Sequence, residues 1–110
     1  MKNTNKNIIK ELLPIMKAHE NLTPELTQTD YYKHPYYEKY FNGIQIRWTQ
    51  YDDYLLIEVC KTLVGKYDHV TIHKYKNKVG YGYSKEYTGC GNGFYADLDN
   101  NGNIVKSEWD

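Results

Sequence analysis

The chain has no run approaching about eighteen apolar residues, so its hydropathy offers no membrane-spanning helix. It holds only two cysteines in 110 residues, Cys60 and Cys90, too few and too far apart for a disulfide framework. Residues 1–7 are polar and basic. The apolar positions that follow are interrupted by Lys10 and Glu11, so the segment lacks the continuous apolar stretch of a signal peptide. The expectation is two free thiols in a chain that stays in a reducing compartment. Arginine occurs once, at Arg47, and alanine is nearly absent. Charge of either sign is not in excess: fourteen basic side chains meet fourteen acidic ones. That balance excludes a strongly basic nucleic-acid binder and an acidic mimic of DNA. A chain of this length forms one domain, residues 1–110, with a single core and no second body to regulate it.

Tyrosine is abundant, thirteen of the 110 residues. Together with plentiful Asn, Lys and Ile, it is the composition that an AT-rich genome tends to encode, pointing to a low-GC bacterium or one of its phages. Charge is unevenly placed. Lys66, Lys74, Lys76, Lys78 and Lys85 face only Asp68, whereas the chain from Glu86 onward is acidic, with Asp97, Asp99, Glu108 and Asp110 against Lys106.

Ile8, Ile9, Leu12, Leu13, Ile15 and Met16 recur at helical spacing, with Lys6, Lys10, Glu11 and Lys17 opposite them. The pattern predicts an amphipathic helix, kinked or broken where Pro14 removes the bond to the Lys10 carbonyl. Thr23-Pro24-Glu25 has the order of an N-cap, a first-turn proline and an acidic first turn, which predicts a second, short helix. Residues 30–41, DYYKHPYYEKYF, read as an irregular connection with one helical turn after Pro35, closed by Asn42-Gly43. Ile44, Ile46 and Trp48 alternate with Gln45, Arg47 and Thr49 as a strand with one buried face.

Leu55, Leu56, Val59, Cys60, Leu63, Val64 and Tyr67 form an apolar stripe at helical spacing, with Asp52 and Asp53 at its start and Gly65 at its end. The spacing predicts a helix over 51–64, with a strand hairpin as the alternative, and places Cys60 in the core. HVTIHKYK and VGYGYSKE, joined at Asn77-Lys78, predict a hairpin in which His73 faces Gly82 and Tyr75 faces Gly80. Residues 88–93, TGCGNG, read as a loop before a last hairpin. The fold class is therefore α+β: two to three helices on one face of a mostly antiparallel sheet of about five strands, in the order α-α-β-α-β-β-β-β.

The stretch DLDNNGNIVKSE, residues 97–108, satisfies the calcium-loop pattern of the EF-hand family, with Asp97, Asp99, Asn101, Gly102 and Glu108 at the specified places. A β-hairpin explains the same residues better. An Asn101-Gly102 type I′ turn pairs Leu98 with Val105, Ala96 with Ser107 and Phe94 with Trp109 on an apolar face, and Asp97 with Lys106 and Tyr95 with Glu108 on the other. The flanks also lack the helices that hold such a loop, since residues 91–96 are rich in glycine and only two residues follow Glu108.

Catalytic and metal patterns are thin. Cys90, between Gly89 and Gly91, is the nucleophile candidate, with His69 or His73 as its base. His69 and His73 lie four apart on a predicted strand, which separates them by about thirteen ångströms, and no C-x-x-C pair completes a zinc site. The reading is of a chain without cofactor.

Two features point to binding. Lys74, Tyr75, Lys76, Lys78, Tyr81 and Tyr83 interleave lysines with rings on one hairpin, the ingredients of a platform for single-stranded nucleic acid. Tyr31, Tyr32, Tyr36, Tyr37 and Tyr40 crowd a segment that cannot bury five phenols without leaving hydroxyls to satisfy. The expected function is a small non-catalytic binding protein that recognises another macromolecule, above all a protein, through these residues. A small-molecule or nucleotide binder lined by aromatic residues and His73, and a nucleic-acid binder working through residues 69–86, are the alternatives. A neutral, orphan-like chain of this size resembles, in type, the accessory inhibitors that phages and mobile elements carry against host defence, anti-CRISPR proteins among them. That resemblance implies a bacterial cytoplasm as the place of action.

Overall fold

The computed structural model describes residues 4–63, 66–87 and 93–109, and their side chains over 7–61, 67–85 and 95–106. It is α+β, with one helix, α1 (Thr4–His19), followed by eight strands: β1 (Gln28–Thr29), β2 (Pro35–Phe41), β3 (Ile44–Gln50), β4 (Tyr54–Leu63), β5 (Lys66–Tyr75), β6 (Val79–Tyr87), β7 (Gly93–Leu98) and β8 (Ile104–Trp109). The strands form a single antiparallel meander in chain order. Every neighbour in the sheet is thus a neighbour in sequence. Among the described residues no helix is long and apolar enough to cross a membrane.

Helix α1 carries Ile9, Leu12 and Met16 on one side, all buried, and lays them against β4 and β5. Because side chains alternate along a strand, β3 turns Ile44, Ile46 and Trp48 to that helix, β4 turns Leu55, Ile57 and Val59, and β5 turns Val70 and Ile72. Tyr83, Ala96 and Leu98 extend the same face across β6 and β7. Burying a side chain of this kind contributes about 1.5–3 kcal/mol, so the shared helix face is the main source of stability. One polar row interrupts it. Asp68 stands between Lys61 and Lys85 on the neighbouring strands and accepts a 2.7 Å hydrogen bond from the Tyr83 hydroxyl. Lys61 also reaches Glu11 of the helix.

Several expectations need correction. Pro14 lies within α1 without breaking it. It and Lys10 are on the exposed side, where water can satisfy the carbonyl that lost its amide partner. Residues 22–27 form no second helix, because a one-turn segment with only Leu26 to bury cannot offset helix nucleation. Residues 35–41 form a strand instead of a helical turn: Pro35 takes the first strand position, where its missing N–H costs little, and tyrosines suit the pleat.

Residues 54–63 form strand β4, paired antiparallel with β5, so of the two expectations for this segment the strand hairpin holds and the helix does not, and Cys60 faces the open side of the sheet instead of the core. The sheet therefore has eight strands and not five. The β5–β6 turn sits at Lys76-Asn77, closed by Tyr75 N–H to Lys78 O at 2.9 Å. His73 accordingly faces Gly80, and Thr71 faces Gly82, a shift of two residues that keeps each side chain on its expected face.

The two Asn-Gly turns differ. Asn42 (φ 49°) and Gly43 (φ 77°) both have positive φ, the mark of a type I′ hairpin, and they close β2 onto β3. At the last hairpin only Gly102 (φ 85°) does, so the loop has three residues, and Leu98 faces Ile104 instead of Val105. A bulge beside Asp97 takes up the extra residue. The predicted pairs from Asp97 with Lys106 to Phe94 with Trp109 are restored.

Gly102 is doubly constrained: its φ is positive, and a Cβ there would stand 2.6 Å from Leu13 Cδ2 of the helix. Gly80 has neither constraint. Gly102→Ala is expected to destabilise the domain by about 1–2 kcal/mol, whereas Gly80→Ala stays within about 0.5 kcal/mol of wild type. Thermal melts check the contrast, with the first variant lowered by about 5–10 °C.

Candidate functional site

With the only described helix on one face, the other face of the sheet is open. It carries Tyr36, Glu38, Tyr40, Gln45, Arg47 and Thr49 on β2 and β3, then Leu56, Glu58 and Cys60 on β4, and His69, Thr71, His73 and Tyr75 on β5. Thr49 and Thr71 are buried on this face.

The rings gather at one end of the sheet, where the turn before β2, the β3–β4 turn and the end of β5 come together. Tyr31 meets Tyr32 edge-on with ring centroids 5.1 Å apart, Tyr32 lies 6.5 Å from His34, and His34 lies 4.6 Å from Tyr51. Tyr51 stacks on Tyr54 at 5.1 Å, and Tyr54 touches both His73 and Tyr75 at 5.1 Å. Lys78 sits 5.0 Å over the Tyr75 ring. Seven rings thus form a continuous row, each within the range where aromatic pairs attract. Its free end is wet: Tyr31 is 89% exposed and Tyr32 75%.

An aspartate builds that free end. Asp30 accepts hydrogen bonds at Oδ1 from the backbone N–H of Tyr32 (2.9 Å) and of His34 (2.8 Å), and its Oδ2 lies 3.2 Å from His34 Nδ1. Its own N–H bonds the His34 carbonyl, and the Lys33 N–H bonds its carbonyl. The His34 backbone bond, helped by the others, holds the Asp30 carboxyl below the usual aspartate value. The turn around Asp99 has the same wiring. Asp99 Oδ1 accepts from the N–H of Asn101 and Asn103, its N–H bonds the Asn103 carbonyl, and Gly102 N–H bonds its carbonyl.

Lys33 (φ 72°) takes the place that Gly102 takes in the second turn. The calcium-like spelling of residues 97–103 is therefore the spelling of an aspartate-capped turn. Asp99 accepts backbone N–H groups at Oδ1 and the Asn103 side-chain amide at Oδ2, and Asp97 accepts the Tyr95 hydroxyl at 2.9 Å. The Glu108 side chain lies outside the described residues, as does Cys90 with its loop.

The other expected binding residues are divided between the two faces. Tyr36 lies on the open face, with the Arg47 guanidinium 4.0 Å from its ring and its hydroxyl bonded to Gln28. Tyr40 is on the same face, 70% exposed, and bonded to Glu38. Tyr37 turns inward and packs 5.9 Å from Trp48. The Lys/Tyr hairpin is split. Tyr75 is in the ring row and Lys76 in the exposed turn, but Lys74 bonds the Glu20 carbonyl, Tyr81 meets Lys17 and Glu20, and Tyr83 is in the core. Strand alternation forces this, since consecutive residues cannot share a face. His34, Tyr51 and Tyr54 carry no local signal of this row, because the spacing over 51–64 fits a helix and the contacts of His34 come from a distant turn.

His73 lies half-buried under Tyr54. Burial holds its pKa below the usual 6.5, opposed by the Asp97 carboxylate. The unfolded chain therefore binds a proton that the folded protein resists. Stability associated with His73 is complete above about pH 6.5 and declines as pH falls toward its lowered native value. Asp30 and Asp99, both held below 3.8, contribute only in a more acidic window. Urea unfolding is expected to show stability falling from about pH 7 to about pH 5.5, with a flatter curve in His73→Gln.

In comparison with known proteins, no family model matches this chain, and no curated protein or solved structure matches it significantly.

Proposed function

We propose that this chain is a small non-catalytic binding protein that grips another protein through the ring row, with Tyr31 and Tyr32 as its leading contacts. The observation that carries this reading is their presentation: two large rings almost fully exposed on a turn held by four hydrogen bonds to Asp30 groups. Exposed flexible tyrosines would lose entropy on binding, whereas a turn already wired in place loses little. Lys33 in the same turn is strained. A lysine with positive φ costs on the order of 1 kcal/mol, and such strain gathers at ligand-gripping segments.

The charges around the row support a protein partner over a polyanion. Asp30 lies at its free end, Asp52 and Asp53 lie between its Tyr51 and Tyr54, and Lys74 is turned away to the Glu20 carbonyl. Lys76 and Lys78 beside Tyr75 are what favours nucleic acid as the second reading. Size, neutrality and AT-rich composition support placing the protein among the small inhibitors that phages carry, acting in the cytoplasm of a bacterial host.

The test is capture from a low-GC bacterial lysate with the wild-type protein and with the Tyr31→Ala/Tyr32→Ala variant as baits, each with and without nuclease. A stoichiometric protein held by the wild type after nuclease and weakened at least about thirty-fold by the double variant is expected, the loss of two interface hot spots. The variant should melt within about 2 °C of wild type, because both rings are exposed. Capture lost with nuclease, or retained by the variant, overturns the reading. Tyr37→Ala is the contrast, expected to lower the melting temperature because that ring packs beside Trp48.

A further inference from the structure

The open face holds a second group of side chains that the ring row does not use. Cys60 on β4 and His69 on β5 are directly opposed, with Sγ 4.0 Å from Nε2. Glu58, two residues before Cys60 and so on the same face, places Oε2 4.0 Å from the other ring nitrogen, Nδ1. Gln45 and Arg47 complete the walls of a cavity of about 190 Å³ around them. The order carboxylate, imidazole, thiol is what activates a cysteine: the ring takes the thiol proton, and the carboxylate near its other nitrogen offsets the charge the ring gains. Arg47 lines the same cavity with its guanidinium paired to Glu38 and stacked on the Tyr36 ring.

We propose that Cys60 is a histidine-activated thiol that exchanges with the disulfides of low-molecular-weight thiols. His69 Nε2 takes the thiol proton. The Cys60 sulfur then bonds one sulfur of the disulfide R–S–S–R, the R–S–S–R bond breaks, and the departing R–S⁻ takes the proton back from His69. The products are the Cys60 mixed disulfide and R–SH, with the disulfide as the only oxidant.

Acyl transfer is the other chemistry of such a triad, and the site is poorly furnished for it. A tetrahedral oxyanion needs donors aimed at it. Here the strand N–H groups belong to sheet ladders on both sides of β4, the Gln45 amide donates to Glu38 at 2.6 Å, and Arg47 Nε donates to Thr49 at 3.3 Å. Sulfur exchange requires no oxyanion hole.

The test uses the full chain as Cys90→Ser, so that Cys60 is the only thiol, with oxidised glutathione as the probe and the adduct followed by intact mass from pH 5 to 9. A mixed disulfide is expected to form in the native protein, at a rate that stays high well below the ordinary thiol pKa of about 8.5. At about pH 6.5, His69→Asn is expected to slow it at least about ten-fold, and Glu58→Gln by less, through His69. Adding Cys60→Ser abolishes the adduct. A rate that instead rises with an ordinary thiol's titration in the Cys90→Ser protein, or adduct formation only after denaturation, overturns the proposal whether or not the His69 variant folds. An unchanged rate in a folded His69→Asn protein overturns it as well.

Discussion

One contact organises this molecule: the buried side of α1, Ile9, Leu12 and Met16, lying on Ile57 and Val59 of β4 and Val70 and Ile72 of β5. A single helix can cover only one face of a sheet. Once β4 and β5 are committed to it, alternation decides the facing of every other strand through the unbroken meander. The inward series runs from Tyr37 through Trp48 to Tyr83 and Ala96. The outward series, with no described helix over it, has to live with water, and it does so with rings, charges and short polar side chains.

That division explains why the two candidate sites lie where they do. The ring row needs partners from three separate turns, and a meander brings the start of β2, the β3–β4 turn and the end of β5 to the same end of the sheet. The Cys60 cavity needs residues two apart on one strand and one opposite on the next, the spacing that adjacent antiparallel strands supply. Both sites consist of side chains held by sheet backbone, except Tyr31, Tyr32 and His34, which depend on the Asp30 turn, and Tyr51, in the β3–β4 turn. The same wiring around Asp99 holds the β7–β8 turn against Leu13, so the sequence uses one device twice, once for packing and once for display.

Much of the fold was legible because its signals are local. The apolar spacing of residues 8–16 marked α1, the alternation over 44–49 marked β3, and Asn42-Gly43 marked a turn. The pairing of Phe94 to Asp97 with Lys106 to Trp109 followed from counting outward from the second Asn-Gly, even though the turn type differed. The ring row was half legible: Tyr31, Tyr32 and Tyr75 stood out by composition, while His34, Tyr51 and Tyr54 did not. Cys60 was misread for the same reason that Tyr54 was missed.

That reason is β4. Its apolar residues fit a helical stripe, and nothing within residues 54–63 rejects it. What decides for a strand is far away in sequence or on the far side of a turn: β3 and β5 offer matched ladders on both sides, and α1 offers an apolar cover for Leu55, Ile57 and Val59. The sequence by itself determined α1, the Asn42-Gly43 turn and the α+β class, because each rests on interactions between residues a few positions apart. Only the tertiary structure decided that 54–63 is a central strand, and with it which rings meet and that Cys60 faces His69, because backbone pairing and burial there depend on neighbours that local periodicity cannot see.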